Sequence, residues 1–387
     1  MNPLHPVIGH GPMLESLAAA HARGSLPTAL LLHGPRGVGK QRVALWLAQL
    51  AVCSAPTAAG PCGTCGPCRM ALGLEHPDVH WYFPLVRPKG ASGDRLEGAL
   101  ESARNEELAE RRLEPIRTSY SEDLKALYLG TVKSIRKRAH MRSTMADGQV
   151  FIVGDAERLV PQESSPEAAN ALLKLLEEPP GSSRFILTSS DPGMLLATIR
   201  SRTVPAHIQR LSDEDVKTFL RDVRQLDDKT ADWTAALAQG SIGRALGFLP
   251  DGGDRGPLEE LRRKAYMLVE AVLTGGPGSG HSIALRFPPA RARTLVDLFQ
   301  FVEEWLRDLA AVRAGASHEL FNPDAQAALE GLVVSVGLEG WDLAGSLVDV
   351  EQAREFARGN VNPQLIVSGL VRRLRSRLLT PAAGASR

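Results

Sequence analysis

The chain has 387 residues, of which 43% are hydrophobic and 23% charged, and this length predicts two or three domains. Lys and Arg number 45 against 44 Asp and Glu, so no whole-chain charge draws the protein to nucleic acid or to an anionic membrane. The apolar runs are far shorter than the roughly 18 residues of a membrane span. The N-terminus lacks the pattern of a secretory signal, and we expect a cytoplasmic protein. Low aromatic content, at 5%, favours a mostly helical or α/β fold.

A phosphate-binding loop is the first motif in the chain. A short apolar run predicts a buried strand just before Gly34, and the spacing from Gly34 to Lys40 is that of a P-loop, followed by a helical apolar pattern. In such a loop Gly34, Gly37 and Gly39 shape a cradle of backbone N–H groups, and the Lys reaches the outer phosphates. The next residue is Gln41, where a P-loop enzyme places a hydroxyl on Mg²⁺. We therefore expect the cradle to be kept, with doubtful Mg·ATP placement and weak or absent hydrolysis.

The four cysteines form the sharpest pattern in the chain. They lie within sixteen positions in the order C-x8-C-x2-C-x2-C, as Cys53, Cys62, Cys65 and Cys68. A disulfide framework is rare in a cytoplasmic chain of this size, whereas four thiolates at this spacing can close a tetrahedral zinc site. Four thiolates leave no position for water, so we expect a structural site. The alternative is a set of reduced thiols without metal.

A second apolar run, residues 149–153, predicts a buried parallel strand that leads to Asp155. An acid at this place can hold Mg²⁺ as a Walker B aspartate, or it can cap the strand end, and the sequence leaves both open. The next residue, where ATPases of this kind commonly carry Glu, is Ala156, and Glu157 is offset by one position. In an extended segment that offset reverses the direction of the side chain, so we expect the catalytic acid to be missing.

Two charged segments lie between these strands. Residues 87–122 are rich in Glu and Arg, and we expect a solvated helix or a mobile insertion there, with a role that the sequence does not define. Farther along, Lys133, Arg136 and Lys137 recur at helical spacing and predict a basic stripe on one helix face. Such a stripe can contact DNA phosphates without reading sequence, or it can be an ordinary solvated face.

Several motifs, in their order along the chain, resemble the bacterial DNA polymerase III clamp-loader subunits of the AAA+ class. They are His5 to Gly9, the P-loop, the four-cysteine insertion, His76 to Asp78, Asn170 to Pro180 and Ile199 to Thr203. The resemblance implies an α/β AAA+ P-loop domain at residues 1–208 with a zinc-binding insertion at 53–68. It further implies a small helical lid domain at 209–252 and an all-α C-terminal collar domain for oligomerisation at 253–387.

Within this family the chain is similar to the delta-prime type. The gamma/tau motor type keeps Thr after the P-loop Lys and Glu after the Walker B Asp, and Gln41 and Ala156 depart from that pattern. The resemblance implies a non-motor subunit of a hetero-oligomer, with gamma/tau motor and delta subunits, a sliding clamp and primed DNA as partners. One alternative is a gamma/tau-like motor that hydrolyses ATP itself. Another is a zinc-dependent nucleic-acid-binding module unrelated to clamps.

The resemblance also implies roles for two arginines. Arg202 stands in a Ser-Arg-Thr sequence where the family has Ser-Arg-Cys, whose Arg reaches into the ATP site of a neighbouring subunit. A guanidinium delivered in this way can neutralise charge on the γ-phosphate. Arg202 could instead pair with a surface carboxylate, and Arg200 could be the arginine that reaches across. Arg244 resembles the sensor-2 arginine, which faces the nucleotide of its own chain.

Overall fold

A computed structural model describes residues 4–116, 125–159, 167–250, 253–276, 278–287, 294–337, 341–359 and 361–379. The chain divides into two compact units. The first contains Met1–Leu226 and Gly240–Gly243, and the second contains Asp227–Gln239 and Arg244–Arg387. The three domains implied by the resemblance, with boundaries after residues 208 and 252, stay a prediction.

The first unit is built on a parallel sheet. The strands in chain order are β1 (Ala29–His33), β2 (Val79–Tyr82), β3 (Leu85–Val86), β4 (Lys125–Ala126), β5 (Val150–Val153), β6 (Arg184–Ser189) and β7 (Val204–His207). Five of them form the sheet in the spatial order β2-β5-β6-β1-β7, and all four pairings are parallel. β3 and β4 form a separate antiparallel pair. The two strands predicted from the apolar runs are β1 and β5, and the predicted α/β fold is confirmed.

Helices cover both faces of this sheet. They are α1 (Gly11–Ala22), α2 (Lys40–Val52), α3 (Gly66–Leu72), α4 (Asp94–Leu113), α5 (Leu129–Ala139), α6 (Glu167–Glu177), α7 (Ala197–Arg200) and α8 (Asp213–Thr218). In β1, Leu30 and Leu32 join the core on the side of α1 and α2, whereas Leu31 joins the core on the side of α5 and α6. Strands that are apolar on both faces are expected in a parallel sheet covered on both sides. The carboxyl ends of β1, β5 and β6 meet at one edge, where the P-loop begins.

The charged segment at residues 87–122 contains a well-packed helix. Leu100 and Leu108 of α4 lie in the core, and the side chain of Arg104 is buried with its guanidinium 4.7 Å from the centre of the Tyr82 ring. Arg111 lies in the same way 4.6 Å from the Trp81 ring. The expected helix is therefore present with an exposed side, at Glu106 and Glu110, but its other side is packed and not solvated. Arg side chains can pack on aromatic rings, so a segment rich in charged residues can still have a packed side.

The regular secondary structure in the described part of the second unit is helical. Its helices are α9 (Asp228–Ala238), α10 (Ile242–Phe248, which begins in the first unit), α11 (Pro257–Thr274), α12 (Ser279–Ala284), α13 (Thr294–Arg313), α14 (Gln326–Val336), α15 (Leu343–Arg358) and α16 (Pro363–Leu379). Leu268 of α11, Phe299 of α13 and Leu370 of α16 are fully buried. The predicted helical C-terminal part is confirmed. A membrane-spanning helix was not found in the described part of the chain.

Candidate functional site

The P-loop connects the end of β1 to the start of α2. Gly34, Gly37 and Gly39 have φ values of 151°, 79° and 99°, a region that glycine adopts without strain. A Cβ on Gly34 would lie 2.0 Å from the carbonyl oxygen of Ile208, so no side chain fits there. Gly39 precedes the first residue of α2, whose positive dipole end faces the loop. The loop thus has the backbone of an anion cradle.

Lys40 is held by its own loop. Its Nζ donates to the carbonyl oxygens of Gly34 (2.9 Å) and Pro35 (2.7 Å) and to Ser190 Oγ (2.9 Å). Burial lowers the pKa of the Lys40 ammonium to about 8, and the negative charges of Asp155 and Glu157 oppose that shift. The ammonium must exchange these partners before it can reach a phosphate.

Gln41 lies against the end of β5. Its carboxamide atoms are 3.0 Å from the position that a Cβ on Gly154 would take. The backbone N–H of Asp155 donates to Thr188 Oγ1 at 3.0 Å, and Asp155 has a φ of 48°, which is uncommon for a residue other than glycine. Residue 41 can therefore offer a carboxamide to this side of the site, and not the short hydroxyl that usually holds Mg²⁺.

Glu157 reaches the same site, contrary to the sequence-based expectation. Ala156–Leu159 form a 3-10 turn instead of extended chain, so an offset of one position does not turn the side chain away. Glu157 Oε1 accepts a hydrogen bond from the Ser190 N–H at 3.1 Å. Burial, followed by the charge of Asp155, raises the pKa of Glu157. The expectation that Glu157 points away from the site is therefore wrong. Ser190 was not predicted, although residues 184–190 end in hydroxyl side chains.

The segment Gly240–Gly243 packs against the P-loop. Ser241 Oγ donates to the carbonyl oxygen of Arg36 at 2.9 Å, and the Gly243 N–H donates to that of Gly37 at 2.9 Å. A Cβ on Gly243 would lie 2.7 Å from Gly37 Cα, so the two backbones are in direct contact. Movement of the loop would therefore displace this segment.

Arg244 lies in the first turn of α10, as the resemblance implies. Its guanidinium donates to Glu304 Oε2 at 2.6 Å and to the carbonyl oxygen of Leu237 at 2.9 Å. Both partners belong to the second unit, and the Arg244 and Glu304 side chains are 12% and 7% exposed. Its predicted sensor role stays a prediction.

The four cysteines lie together between α2 and α3. The Sγ atoms of Cys53, Cys62, Cys65 and Cys68 are all within 4.8 Å of one another. Backbone N–H groups donate to three of these sulfurs, and the Cys65 N–H, with Thr64, lowers the pKa of the Cys62 thiol to about 6. Burial instead raises the pKa of Cys68 to about 12. The cluster could hold a metal ion, because four sulfurs converge and amide donors stabilise thiolate charge.

Arg202 follows α7 at the surface of the first unit. Its Nε donates to Glu177 Oε1 at 2.5 Å, its Nη2 lies 2.5 Å from the same oxygen as an ion pair, and its Nη1 donates to the carbonyl oxygen of Thr198 at 3.0 Å. The pairing with a surface carboxylate, which the sequence left open, is thus present. The Arg202 side chain is 34% exposed, so part of the guanidinium faces solvent. Arg200, at the last residue of α7, is also exposed.

The basic stripe lies on α5. Lys133, Arg136 and Lys137 are exposed, whereas Val132 and Ile135 on the opposite side are buried. Arg138 does not belong to the stripe, because it pairs with Glu101 of α4 at 2.8 Å.

Comparisons with known proteins give a family match. The model of the family described as "DNA polymerase III, delta subunit" matches residues 9–212. The DNA polymerase III subunit delta' of Pseudomonas aeruginosa is 35% identical over 177 residues, which cover 46% of this chain and 41% of that protein. The subunit delta' of Escherichia coli is 26% identical over 374 residues, covering 94% of this chain and 93% of that protein. The subunit tau of Escherichia coli is 27% identical over 245 residues, covering 62% of this chain and 31% of that protein.

Proposed function

Because the chain belongs to the DNA polymerase III delta-subunit family, we propose that it works as a non-motor, delta'-type clamp-loader subunit that supplies Arg202 to a neighbouring ATP site. The match to the Escherichia coli delta' subunit spans nearly the whole chain, whereas the match to tau stops at 62% of it, so the motor alternative is not favoured. The partners in this proposal are gamma/tau motor subunits, a delta subunit, a sliding clamp and primed DNA. The observation that carries the proposal is the position of the Arg202 guanidinium, held by its own chain at the surface and partly open to a neighbour.

We also propose that the P-loop of this chain contributes little hydrolysis. If ATP and Mg²⁺ bind here, Gly34 to Lys40 would hold the phosphates, and Gln41 and Asp155 would face the ion. The bound ion would supply charge neutralisation at the phosphates. Two features argue against efficient catalysis: the carboxamide of Gln41 lies against Gly154, and the Lys40 ammonium is already bonded to three oxygens of the protein.

We propose that the cysteine cluster binds one structural Zn²⁺. Zn–S bonds of about 2.3 Å place the corners of a tetrahedron about 3.8 Å apart. The observed Cys62 Sγ to Cys68 Sγ distance is 3.9 Å, and no pair of the four exceeds 4.8 Å. The ion would join the end of α2 to the start of α3, so its role would be to fix this insertion.

We propose that Lys133, Arg136 and Lys137 contact the phosphate backbone of primed DNA. Support comes from the exposure of all three on one side of α5, whose other side is anchored in the core. Lys and Arg side chains on one exposed face contribute affinity by releasing counterions, and they do not select a sequence.

The test of the principal proposal is DNA-stimulated ATP turnover by the clamp loader reconstituted with its motor subunits and clamp. Arg202→Ala should lower turnover about tenfold or more, since an arginine supplied in trans is worth roughly a thousandfold at its own site. Lys40→Ala in this chain should leave turnover near the wild-type value. Arg200→Ala is the matched control and should also have little effect.

The opposite pattern would overturn the proposal. If Lys40→Ala lowers turnover while Arg202→Ala does not, the chain is itself a motor subunit. If Arg200→Ala is the damaging change, the trans-acting arginine has been assigned to the wrong residue.

A further inference from the structure

We propose that Glu177 is the positioning residue for Arg202, orienting its guanidinium for the phosphate of a neighbouring subunit. The inference rests on the proposed function of Arg202. The proposal gives a function to the end of α6, where Glu177 and Glu178 precede two prolines.

The geometry of the contact supports positioning. Arg202 Nε donates to Glu177 Oε1, and Nη2 forms an ion pair with the same oxygen, while Nη1 donates to the carbonyl oxygen of Thr198 and, at 3.4 Å, to Ser201 Oγ. Glu177 is the last residue of α6, and Thr198 is in α7, so the guanidinium is tied to two helices. Its side chain is therefore already ordered before any neighbour binds, so less rotamer freedom is lost on association.

The contact leaves donors available. A guanidinium has five N–H groups. Glu177 accepts from Nε, and Thr198 and Ser201 accept from Nη1, which leaves the N–H groups of Nη2. A phosphate oxygen can accept from these without displacing Glu177. The carboxylate and the incoming phosphate can thus hold Arg202 from different sides.

A role in stability alone is a poor explanation of this pair. The side chains of Arg202 and Glu177 are 34% and 42% exposed, and ion pairs this open contribute little to the free energy of folding. Loss of the carboxylate should therefore leave the fold intact and show itself in the trans reaction.

The test uses Glu177→Ala and Glu177→Gln in the full reconstituted complex, with Glu178→Ala as the matched control on the next, also exposed acid. Glu177→Ala should lower kcat of DNA-stimulated ATP turnover roughly threefold to fivefold with KM for ATP unchanged, because the arginine is present but misplaced. Glu177→Gln should recover most of the rate, since the hydrogen bond from Nε needs one oxygen that an amide also offers. Glu178→Ala should match the wild type.

A double variant distinguishes positioning from an independent effect. In the Arg202→Ala background, Glu177→Ala should cause no further loss. Unchanged turnover in Glu177→Ala alone, with Arg202→Ala damaged, overturns the positioning role and leaves the proposed function standing. Increased turnover, a lower melting temperature or failed assembly of Glu177→Ala also overturns it. Normal turnover in Arg202→Ala overturns the proposed function instead.

Discussion

Asp78 shows how one side chain can fix a loop near a candidate binding surface. Its carboxylate is 1% exposed and accepts hydrogen bonds from the N–H groups of Thr144 (2.6 Å), Met145 (2.7 Å) and Ala146 (2.8 Å). Burial alone would raise the pKa of Asp78, but these three donors outweigh it and hold the pKa below its ordinary value. The loop that follows the basic stripe of α5 is therefore anchored by a single carboxylate.

We expect Asp78→Asn to lower the free energy of unfolding by about 2–4 kcal/mol at neutral pH. The amide carries no charge, and its NH2 group would face a backbone N–H that now donates to a carboxylate oxygen. Urea unfolding measures the change. Since the folded pKa lies below the unfolded value of about 3.9, the stabilisation is complete well above that pH and is lost as the pH falls through the folded pKa. The difference in unfolding free energy between the wild type and Asp78→Asn should therefore become smaller as the pH falls through the folded pKa. Asp147→Asn, on an exposed residue of the same loop, is the control, and equal stability of the two variants would refute this account.

At the scale of elements, apolar runs predicted the secondary structure better than charge patterns did. β1 and β5 could be predicted because buried parallel strands are continuous apolar runs, and the P-loop because its glycines need positive φ. The packing of α4 could not be predicted, because Arg104 and Arg111 lie on aromatic rings of β2, more than 20 residues earlier in the chain. Glu157 was misjudged because a short 3-10 turn replaces extended chain. The contact between Glu177 and Arg202 joins two elements, so no local pattern contains it.

The stripe on α5 gives a prediction at the same scale. Changing Lys133, Arg136 and Lys137 together to Ala should weaken binding of the reconstituted loader to primed DNA. It should also make the slope of log affinity against log salt shallower by about 2–3, at roughly 0.9 per lost phosphate contact. Binding measured at several salt concentrations gives the slope. As a control, Arg263→Ala with Lys264→Ala removes exposed charge from α11 and should leave the slope unchanged. An unaltered slope in the triple variant would mean that the stripe is a solvated face.

At the scale of the whole molecule, the chain forms two compact units, and the cysteine cluster belongs to the first. The effect of a metal on stability should therefore be confined to one part of the chain. Helices α11, α13 and α16 of the second unit bury side chains of their own, and none of the four cysteines belongs to that unit.

Elemental analysis of protein purified without chelator should find about one zinc per chain. Removal of the ion should then abolish hydrogen-exchange protection at the end of α2 and in α3 and lower the stability of the first unit, while protection in α13 stays unchanged. A zinc content near zero would contradict the proposal, as would identical exchange before and after chelation.

The strand order delays the pairing of β1 during synthesis of the chain. β1 is made first but sits between β6 and β7, and its register partner for Ala29 is Phe185, more than 150 residues later. At a ribosomal rate of about 5–20 residues per second, the nascent strand waits roughly 8–30 s with both edges open and its leucines exposed. The cysteines, in contrast, leave the ribosome within a second or a few seconds of one another. The insertion can thus form early, whereas β1 has open edges that could pair with other chains until β6 has been made.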